Sequence, residues 1–345
     1  VQSPAVRLLV EREKEITAFE GSAQFKVTAV FVYNKQEFKA ELSERFDTEA
    51  EAAKFLELLI GAEYTISDIT TTPGTRNPSA PFTTSTLQQE ANSKLGMGSR
   101  ATMSAAQKLY QEGKITYMRT DSVNLSGQAI AAAADYIKRL YGHEYSQVRK
   151  FKTKSASAQE AHEAIRPTDM AREDVSGDSY EQKLYDLIRR RTLASQMAPA
   201  KTENTTVTIN ISTGKKVFTA KGQVITFDGF LRVYNIATKD EDILPPVQSG
   251  ETLQTYSVEA RQVFARPPAR YTEGSLVKKL EELGIGRPST YATIINTVQT
   301  RGYVERGESE GTPRDVIVLQ LIDGSVEREV QQEKTGSTKG KLVPT

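Results

Sequence analysis

The stretch PFTTSTLQQEANSKLGMGSRAT, residues 81–102, recurs in similar form as ARYTEGSLVKKLEELGIGRPST, residues 269–290. In both copies an aromatic–threonine pair precedes a helical pattern, Leu-Gly-(Met/Ile)-Gly ends it, and a second helix follows. The second helices are predicted to end near Gly113 and Gly302, each before a short β-like segment. Two helices, a glycine turn and a trailing strand are typical of a winged helix-turn-helix unit, which commonly handles nucleic acid. Two helical hairpins without a DNA role are the alternative.

The region around the first copy is predicted to be almost wholly helical, from about 82 to 200. Polar start signals and glycine or proline stop signals divide it into several helices. The start signals are Ser85 with Gln88, Ser126, and Ser157 with Glu160, and the stop signals are Gly113 and Pro167. A longer helix is predicted at 178–196.

β-like segments lie on both sides of this helical region. A hairpin is predicted from Phe25 to Leu42, and further strands are predicted near 63–71 and at 201–265. The stretch TTTPGTRNPSAP, residues 70–81, is predicted to be a linker. We therefore predict an α+β multidomain fold, in which a helical insert emerges from one β-rich domain. The remaining predicted elements are helices at 6–19, 48–60, 272–283 and 289–301, and a strand at 316–321.

Composition limits the possible partners. The chain has 345 residues, enough for two or three domains, and its 45 Lys and Arg nearly balance its 44 Asp and Glu. A DNA partner would therefore have to be held by local basic patches rather than by overall charge. The absence of cysteine excludes disulfides and thiolate metal sites and suits a reducing cytoplasm. No apolar run approaches the roughly 18 residues of a membrane span.

Two features of the sequence are interpreted without a functional role. The basic stretch at 138–154 and the triple Arg189–Arg191 are interpreted as solvated faces, the usual environment of such runs. The chain starts at VQSPAVR without a Met and ends at KLVPT, so we interpret both ends as lying within a larger protein.

The segment GKITYMRTDS, residues 113–122, carries the strongest chemical signal. In an extended segment, alternation places Ile115, Tyr117 and Arg119 on one face. A tyrosine hydroxyl can attack phosphorus and keep the phosphodiester energy in a phosphotyrosine. A neighbouring guanidinium can stabilise the charge that develops on the phosphate oxygens. The alternative is a strand tyrosine packed in a core beside a solvated arginine, because tyrosine is common in strands.

His162 is one of two histidines in the chain. On a helix it would share a polar face with Gln159, Glu163 and Arg166, and that face would be free to meet phosphate. A surface histidine that caps a short helix is the alternative.

The second repeat ends in GIGRPSTY, residues 284–291, where Arg287 can reach a phosphate from just before a helix. Ser289 and Thr290 can donate hydroxyls there, and free backbone N–H groups at a helix start also favour anions. Arg301 in TRGYV is a further phosphate candidate. Ordinary helix capping explains the same residues, and both roles can hold together.

Five stretches of the chain, taken in order, resemble the type IA DNA topoisomerases. They are PFTTSTLQQ, GKITYMRTDSVNLS, SAQEAHEAIRPTD, GIGRPSTYATI and TRGYV, and the resemblance extends over nearly the whole chain. It implies that Tyr117 is the nucleophile, which joins the 5′ phosphate and leaves a free 3′ hydroxyl. It implies that Arg119 positions Tyr117 and the scissile phosphate. The other residues taken into the predicted DNA site are Gln107, Thr116, Asp121, His162, Arg166, Arg287, Ser289, Thr290 and Arg301.

The resemblance also implies a toroid-like core. A β-rich arch would comprise 20–78 and 203–268, and a helical domain at 79–202 would carry Tyr117. Residues 1–19 and 269–345 would form a second winged-helix-like domain that binds single-stranded DNA at the base. The implied activity is ATP-independent relaxation of negatively supercoiled DNA by strand cleavage, strand passage and resealing. The implied protein is a cytoplasmic, nucleoid-associated monomer whose partner is single-stranded or underwound DNA.

The family's Toprim domain, which supplies a glutamate, a lysine and an acidic cluster for Mg²⁺, has no match in this sequence. We therefore expect Mg²⁺ in the intact enzyme and no metal site in this chain, and we expect the isolated chain to be unable to relax DNA. A non-catalytic single-stranded DNA-binding module and the topoisomerase half of a reverse gyrase stay open as alternatives. Another tyrosine-based strand-transfer enzyme, such as a recombinase or a rolling-circle nuclease, is a further alternative. Such enzymes need several His or Arg residues around the tyrosine, or a paired-histidine metal motif. The paired motif is excluded, since His143 and His162 lie nineteen residues apart.

Overall fold

Helices and strands alternate in blocks along the chain. The computed structural model describes residues 2–153, 162–234 and 243–345. The helices are α1 (Gln2–Ala18), α2 (Glu49–Leu58), α3 (Thr84–Leu95), α4 (Ser99–Gln111), α5 (Gly127–Tyr141), α6 (Ser179–Ser195), α7 (Glu273–Glu282) and α8 (Tyr291–Thr300). The strands are β1 (Ala23–Tyr33), β2 (Gln36–Leu42), β3 (Tyr64–Arg76), β4 (Ala200–Ile211), β5 (Val217–Phe227), β6 (Thr252–Phe264), β7 (Val304–Arg306), β8 (Thr312–Ile322), β9 (Ser325–Thr335) and β10 (Leu342–Pro344). No helix in the described ranges is both long and apolar enough to cross a membrane.

Six strands close into a barrel-like sheet. Their order is β1-β2-β5-β4-β3-β6, and β6 pairs back onto β1, so the sheet has a closed core. The alternating pattern of β1 places Phe25, Val27 and Phe31 inside. Phe31 makes an edge-to-face contact with Tyr64, with ring centroids 5.1 Å apart, and a second one with Phe218 at 5.7 Å. The predicted hairpin and the strands at 201–265 are confirmed.

The predicted linker at 70–81 is wrong for most of its length. Strand β3 continues through the Thr/Pro/Gly run to Arg76 and pairs with β4 as far as Ala200. Pro73 is tolerated there because β3 pairs with β6 only at Tyr64 and Thr65, which leaves its other edge without a ladder partner at Pro73. A paired ribbon, β3 with β4, therefore leads from the barrel to the helical region.

Strands β8 and β9 extend the sheet beyond β6. Residues 258–261 of β6 pair with 318–321 of β8, and Leu319 packs into the barrel core. Residues 269–345 were predicted to belong to a separate winged-helix-like domain, so this pairing of β8 with the barrel was not expected. The apolar pattern of a strand does not reveal which sheet the strand joins. The division into three domains stays a prediction.

The first repeat begins at a different residue from the one predicted. Thr83, rather than Ser85, caps α3, and its capping box is closed by Thr86 rather than Gln88. Gln88 is instead fully buried. The pattern was misassigned because Ser85 and Gln88 satisfy the same spacing two residues later. The predicted cap Ser126 of α5 is confirmed.

The helix predicted before Pro167 is wrong in its described part. Its proposed capping pair, Ser157 and Glu160, and Gln159 fall within 154–161, outside the described residues. Residues 162–166 are extended, and the Ile165 N–H donates to the Phe82 carbonyl at 2.9 Å. The backbone groups that a helix would satisfy internally are satisfied here by neighbouring segments. His162 and Arg166 therefore do not share a helical face.

The two repeats pack against each other with approximate two-fold symmetry. The Ser85 hydroxyl at the start of α3 donates to the Glu281 carboxylate near the end of α7. The Gly274 N–H at the start of α7 donates to the Asn92 side chain, late in α3, at 3.1 Å. Alignment of Thr83 with Thr272 makes Ser85 equivalent to Gly274 and Asn92 equivalent to Glu281. The two contacts are therefore the same contact made once from each repeat, as in a two-fold interface.

A carboxylate closes the interface between the second helices. Glu273 accepts a hydrogen bond from the Ser99 N–H at 2.7 Å and another from the Gln299 side chain at 2.8 Å. Gly98, the N-cap of α4, leaves room for it, since a Cβ at Gly98 would lie 2.7 Å from the Glu273 oxygen. The helix start is thus capped by a side chain from the other repeat.

We expect Gly98→Ala to destabilise the chain. The added methyl group would displace the Glu273 carboxylate and leave the Ser99 N–H without its acceptor, at a cost of about 1–3 kcal/mol. Urea denaturation measures the loss. Gly127→Ala is the matched control, because Gly127 also lies at a helix start but its Cβ would meet nothing within 4 Å. Equal stability of the two variants would contradict the proposed cap.

Buried Tyr291 gives the stability of the chain a dependence on alkaline pH. Burial, followed by the charge of Glu281, raises the pKa of Tyr291 to about 12. The folded chain thus holds this proton more tightly than the unfolded chain, whose tyrosine pKa is about 10. The associated stability is fully present below pH 10 and is lost as pH rises from about 10 to 12, by roughly 2–3 kcal/mol.

We expect Tyr291→Phe to make the fall of unfolding free energy between pH 10 and 12 less steep, since phenylalanine has no proton to lose at this position. Urea denaturation at a series of pH values measures it. Tyr256→Phe is the control, because Tyr256 is exposed and should leave the dependence unchanged. The assignment is wrong if both variants follow the wild-type curve.

Candidate active site

The segment that contains Tyr117 is irregular rather than a strand. Its one strand-like contact is an isolated bridge between Ile115 and Pro167. Ile115 and Met118 are buried, whereas Tyr117 is exposed over 46% of its surface. The prediction that Ile115 shares a face with Tyr117 and Arg119 is therefore wrong, because the chain bends between residues 115 and 117. Tyr117 and Arg119 still lie outside the core, with buried Met118 between them.

Two threonine hydroxyls hold this irregular segment in place. The Thr116 hydroxyl donates to the Ala164 carbonyl at 2.7 Å and accepts from the Arg166 N–H at 2.9 Å. The Thr84 hydroxyl donates to the Met118 carbonyl at 2.7 Å and accepts from the Thr120 N–H at 2.8 Å. The backbone before and after Tyr117 is therefore anchored to different parts of the fold.

The Tyr117 ring packs on helix α4. It makes an edge-to-face contact with Tyr110, with ring centroids 5.2 Å apart. Gln107 lies three residues before Tyr110, on the same face of α4, and is exposed. The structure thus brings Gln107 and Tyr117 to one surface. Tyr110 was not singled out from the sequence, because an aromatic residue near a helix end usually indicates core packing.

Arg119 reaches across to the second repeat. Its guanidinium donates to the Ser289 carbonyl at 3.0 Å and to the Pro288 carbonyl at 3.5 Å. Asp121 follows Thr120 in the same segment and is partly buried. Arg119 therefore joins the Tyr117 segment to the loop between α7 and α8, and the junction of these two segments is called the cleft.

The loop between α7 and α8 presents polar groups at the start of a helix. The Arg287 N–H donates to the Thr290 hydroxyl at 2.9 Å, so that hydroxyl closes the turn. Thr290 makes no side-chain cap to the N–H groups of α8, and Ser289 and Arg287 are exposed. An uncapped helix start beside a guanidinium is a favourable place for an anion.

The other predicted site residues are placed less directly. Arg166 is held in a two-pronged ion pair with Glu163, with N–O distances of 2.6 and 3.0 Å. The hydrogen bond from Arg166 holds the pKa of Glu163 below its usual range. Arg301 lies at the far end of α8, about 15 Å along the helix from the loop, and contacts Gln2. His162 is exposed.

The interpretation of Arg189 and Arg191 as solvated is wrong, since both are buried. Arg189 donates to the Met170 carbonyl at 3.2 Å, and Arg191 donates to the Ala80 carbonyl at 2.6 Å and to Glu90 at 2.7 Å. Their helix is enclosed on more than one side, which the charge run could not reveal. Neither guanidinium is available to steer DNA.

Sequence reasoning also passed over Thr84, which lies fully buried at the start of α3. Its position after Thr83 indicates only a helix start. Across 2–153, 162–234 and 243–345, no group of three or more His, Asp or Glu side chains is arranged to hold a metal ion.

Comparison with known proteins agrees with this geometry. A family model described as DNA topoisomerase matches residues 1–342. DNA topoisomerase 1 of Vibrio cholerae is 46% identical over 318 residues, which cover 88% of this chain and 36% of that protein. DNA topoisomerase 1 of Zymomonas mobilis is 41% identical over an alignment of 367 residues, gaps included, which covers 99% of this chain and 30% of that protein. The chain thus spans about a third of the length of these curated relatives.

A solved structure shows the same similarity in three dimensions. Full-length topoisomerase I from Thermotoga maritima superposes with a TM-score of 0.76 at 34% identity, covering 94% of this chain and 52% of that one. Because the family model extends over nearly the whole sequence, the chain belongs to the DNA topoisomerase family.

Proposed function

We propose that this chain is the DNA-handling part of a type IA DNA topoisomerase and that Tyr117 is its nucleophile. The observation that carries the proposal is the position of Tyr117, half exposed beside Arg119, whose guanidinium contacts the α7–α8 loop across a cleft. A core tyrosine, the alternative from the sequence, would be buried. The proposal joins this geometry to the family membership of the chain.

In the proposed reaction the Tyr117 oxygen attacks the phosphorus of one DNA strand. A bond forms between the phenolic oxygen and the 5′ phosphate, and the bond from phosphorus to the 3′ oxygen breaks. The phenolic proton goes to a base, and the departing 3′ oxygen takes up a proton to become a hydroxyl. Resealing is the reverse attack by that hydroxyl, so the phosphodiester energy is conserved.

Arg119 would stabilise the charge that develops on the phosphate oxygens. Its present partners, the carbonyl oxygens of Ser289 and Pro288, are neutral acceptors. A phosphate carries a full charge and can accept two parallel N–H bonds from a guanidinium, so it would displace them. The arginine therefore has a DNA-free resting place within reach of the proposed site.

Single-stranded DNA would lie along the cleft. Arg287, Ser289 and the start of α8 would bind phosphate on one side, and Gln107 and Asp121 would line the other. Thr116 would act through the backbone, and His162, exposed beside the Thr116 anchor, would approach the same strand. Arg166 and Arg301 are assigned outer contacts, because one is paired with Glu163 and the other lies a helix length away.

The described residues include no group of three or more His, Asp or Glu side chains that could hold a metal ion. We propose that Mg²⁺ and the proton-transfer glutamate belong to a Toprim portion of the intact enzyme, and we assign no step to the metal in this chain. We propose on the same ground that the isolated chain is inactive in relaxation. We further propose that the intact protein is a monomer, acts in the cytoplasm on underwound DNA, and has a toroid-like core.

Strand passage would require the two repeats to separate. Polar contacts between the repeats include Ser85 with Glu281, Glu273 with Ser99, and Arg119 with Ser289. The ribbon of β3 and β4 connects the helical unit to the barrel on the other side. A movement of the helical unit about that ribbon would open a gap for the second strand.

We expect Tyr117→Phe in the intact enzyme to abolish the covalent DNA adduct, because phenylalanine has no oxygen to bond phosphorus. The measurement is denaturing electrophoresis after reaction with 5′- and 3′-labelled single-stranded oligonucleotides. The adduct should carry the 5′ phosphate side of the cut, and the neighbouring Tyr110→Phe should keep it. Adduct formation by Tyr117→Phe would refute the proposal, and wild-type binding without any adduct would favour a non-catalytic DNA-binding module.

We expect Arg119→Ala to lower the rate of single-turnover cleavage about 10²–10³-fold, the usual effect of removing one charge-stabilising donor. Quenched-flow cleavage of a saturating oligonucleotide measures this rate. Arg139→Ala, at an exposed position on α5, is the control and should cleave like the wild type. Unchanged cleavage by Arg119→Ala would remove the arginine from the mechanism.

A further inference from the structure

We propose that Thr84 is a positioning residue for strand cleavage, which fixes the backbone on both sides of Arg119. The inference rests on the proposed function of Tyr117 and Arg119 and adds a residue that touches neither DNA nor the reacting atoms. Thr84 is the first residue of α3 and is fully buried.

Three hydrogen bonds join Thr84 to the peptide groups next to Arg119. The Thr84 hydroxyl donates to the Met118 carbonyl at 2.7 Å and accepts from the Thr120 N–H at 2.8 Å. The Thr84 N–H donates to the Thr120 carbonyl at 2.9 Å. One residue therefore satisfies the acceptor before Arg119 and both the donor and the acceptor after it.

The helix start supplies the groups for this contact. The first N–H groups of an α-helix have no partner within the helix. Thr83 caps α3 through the Thr86 N–H, so the Thr84 N–H stays free to bind the Thr120 carbonyl. The Tyr117–Arg119 segment is therefore tied to the end of a rigid helix rather than to a loop.

The burial of its two neighbours places the Arg119 side chain on the outer side of the segment. Met118 and Thr120 are both buried, and Arg119 lies between them on the outer side. With its flanking peptides held by Thr84, Arg119 can turn its guanidinium toward the cleft without moving its backbone. The same anchor holds the backbone of Arg119 relative to that of Tyr117, because only Met118 lies between them.

The neighbouring residue links this anchor to the other side of the cleft. Ser85 donates to Glu281 on α7, while Thr84 holds the Tyr117 segment. The first turn of α3 thus contacts both walls of the cleft through adjacent residues. When the repeats close, this turn places the nucleophile segment relative to the α7–α8 loop.

A hydroxyl is the group that this position requires. Valine has nearly the shape of threonine but can neither donate to the Met118 carbonyl nor accept from the Thr120 N–H. Serine keeps the hydroxyl and loses only a methyl group. Thr84→Val should therefore loosen the segment, and Thr84→Ser should retain it.

The experiment uses the intact enzyme and single-turnover cleavage of a labelled single-stranded oligonucleotide at a series of concentrations. We expect Thr84→Val to lower the maximal cleavage rate about 10–100-fold, the effect of a misplacement on the order of 1 Å. The oligonucleotide concentration that gives half-maximal cleavage should stay within about twofold of the wild type. Thr84→Ser should recover most of the rate.

Thr192→Val is the matched control for stability. Thr192 is also fully buried, but its hydroxyl bonds only within its own helix, to the Ile188 carbonyl at 2.9 Å. It should lower the melting temperature without changing the cleavage rate. The inference is overturned if Thr84→Val cleaves at the wild-type rate, if Thr192→Val loses cleavage to the same extent, or if Thr84→Ser is as slow as Thr84→Val.

The same assay separates this inference from the proposed function. If the wild type forms a covalent adduct that Tyr117→Phe lacks, the proposed function stands, and the Thr84 variants test the positioning role alone. If the wild type forms no adduct, the proposed function itself fails and the positioning role fails with it.

Discussion

The region around Tyr117 depends on how an irregular, partly buried backbone satisfies its hydrogen bonds. Residues 114–120 form no ladder, yet several of their peptide groups lie next to the core, where an unpaired group costs about 1–3 kcal/mol. Thr116 and Thr84 meet this requirement, each using one hydroxyl both to donate to a carbonyl and to accept from an N–H. The backbone on both sides of Tyr117 and Arg119 is therefore held by hydrogen bonds to other segments, while the Tyr117 side chain stays exposed.

Polar contacts hold the two repeats together beside the cleft. A local two-fold relation repeats one polar contact, so two similar sites, Ser85 with Glu281 and Gly274 with Asn92, hold the first helices together. These contacts are partly buried, and each contributes about 0.5–3 kcal/mol net, because both partners bind water when the surfaces part. The repeated contact therefore defines one closed geometry of the two repeats.

Regular elements and the family could be predicted from the sequence, whereas the details of the site could not. The helices of the two repeats, the hairpin and the cap Ser126 follow local rules and are confirmed, whereas the strand expected after Gly113 is not present. The strand through Pro73 and the extended 162–166 were missed, because each depends on a distant partner, β4 in one case and Phe82 in the other. Tyr117 and Arg119 could be proposed from their spacing and the family resemblance, but Thr84 could not, since its role exists only where α3 meets residues 118–120.

The connection between barrel and helices determines which movement the fold allows. Strands β3 and β4 pair continuously from Tyr64 with Ile211 to Arg76 with Ala200, and β5 continues alongside β4 to Phe227. A ladder of this length resists bending within it, so the helical unit would move as a body about the end of the ribbon. The Thr84 anchor lies wholly within that unit, whereas the Arg119 contact with Ser289 crosses the cleft. Such a movement would break the contact between Arg119 and Ser289. It would leave the backbone of Tyr117 and Arg119 bound to Thr84, in the arrangement that the proposed resealing step requires.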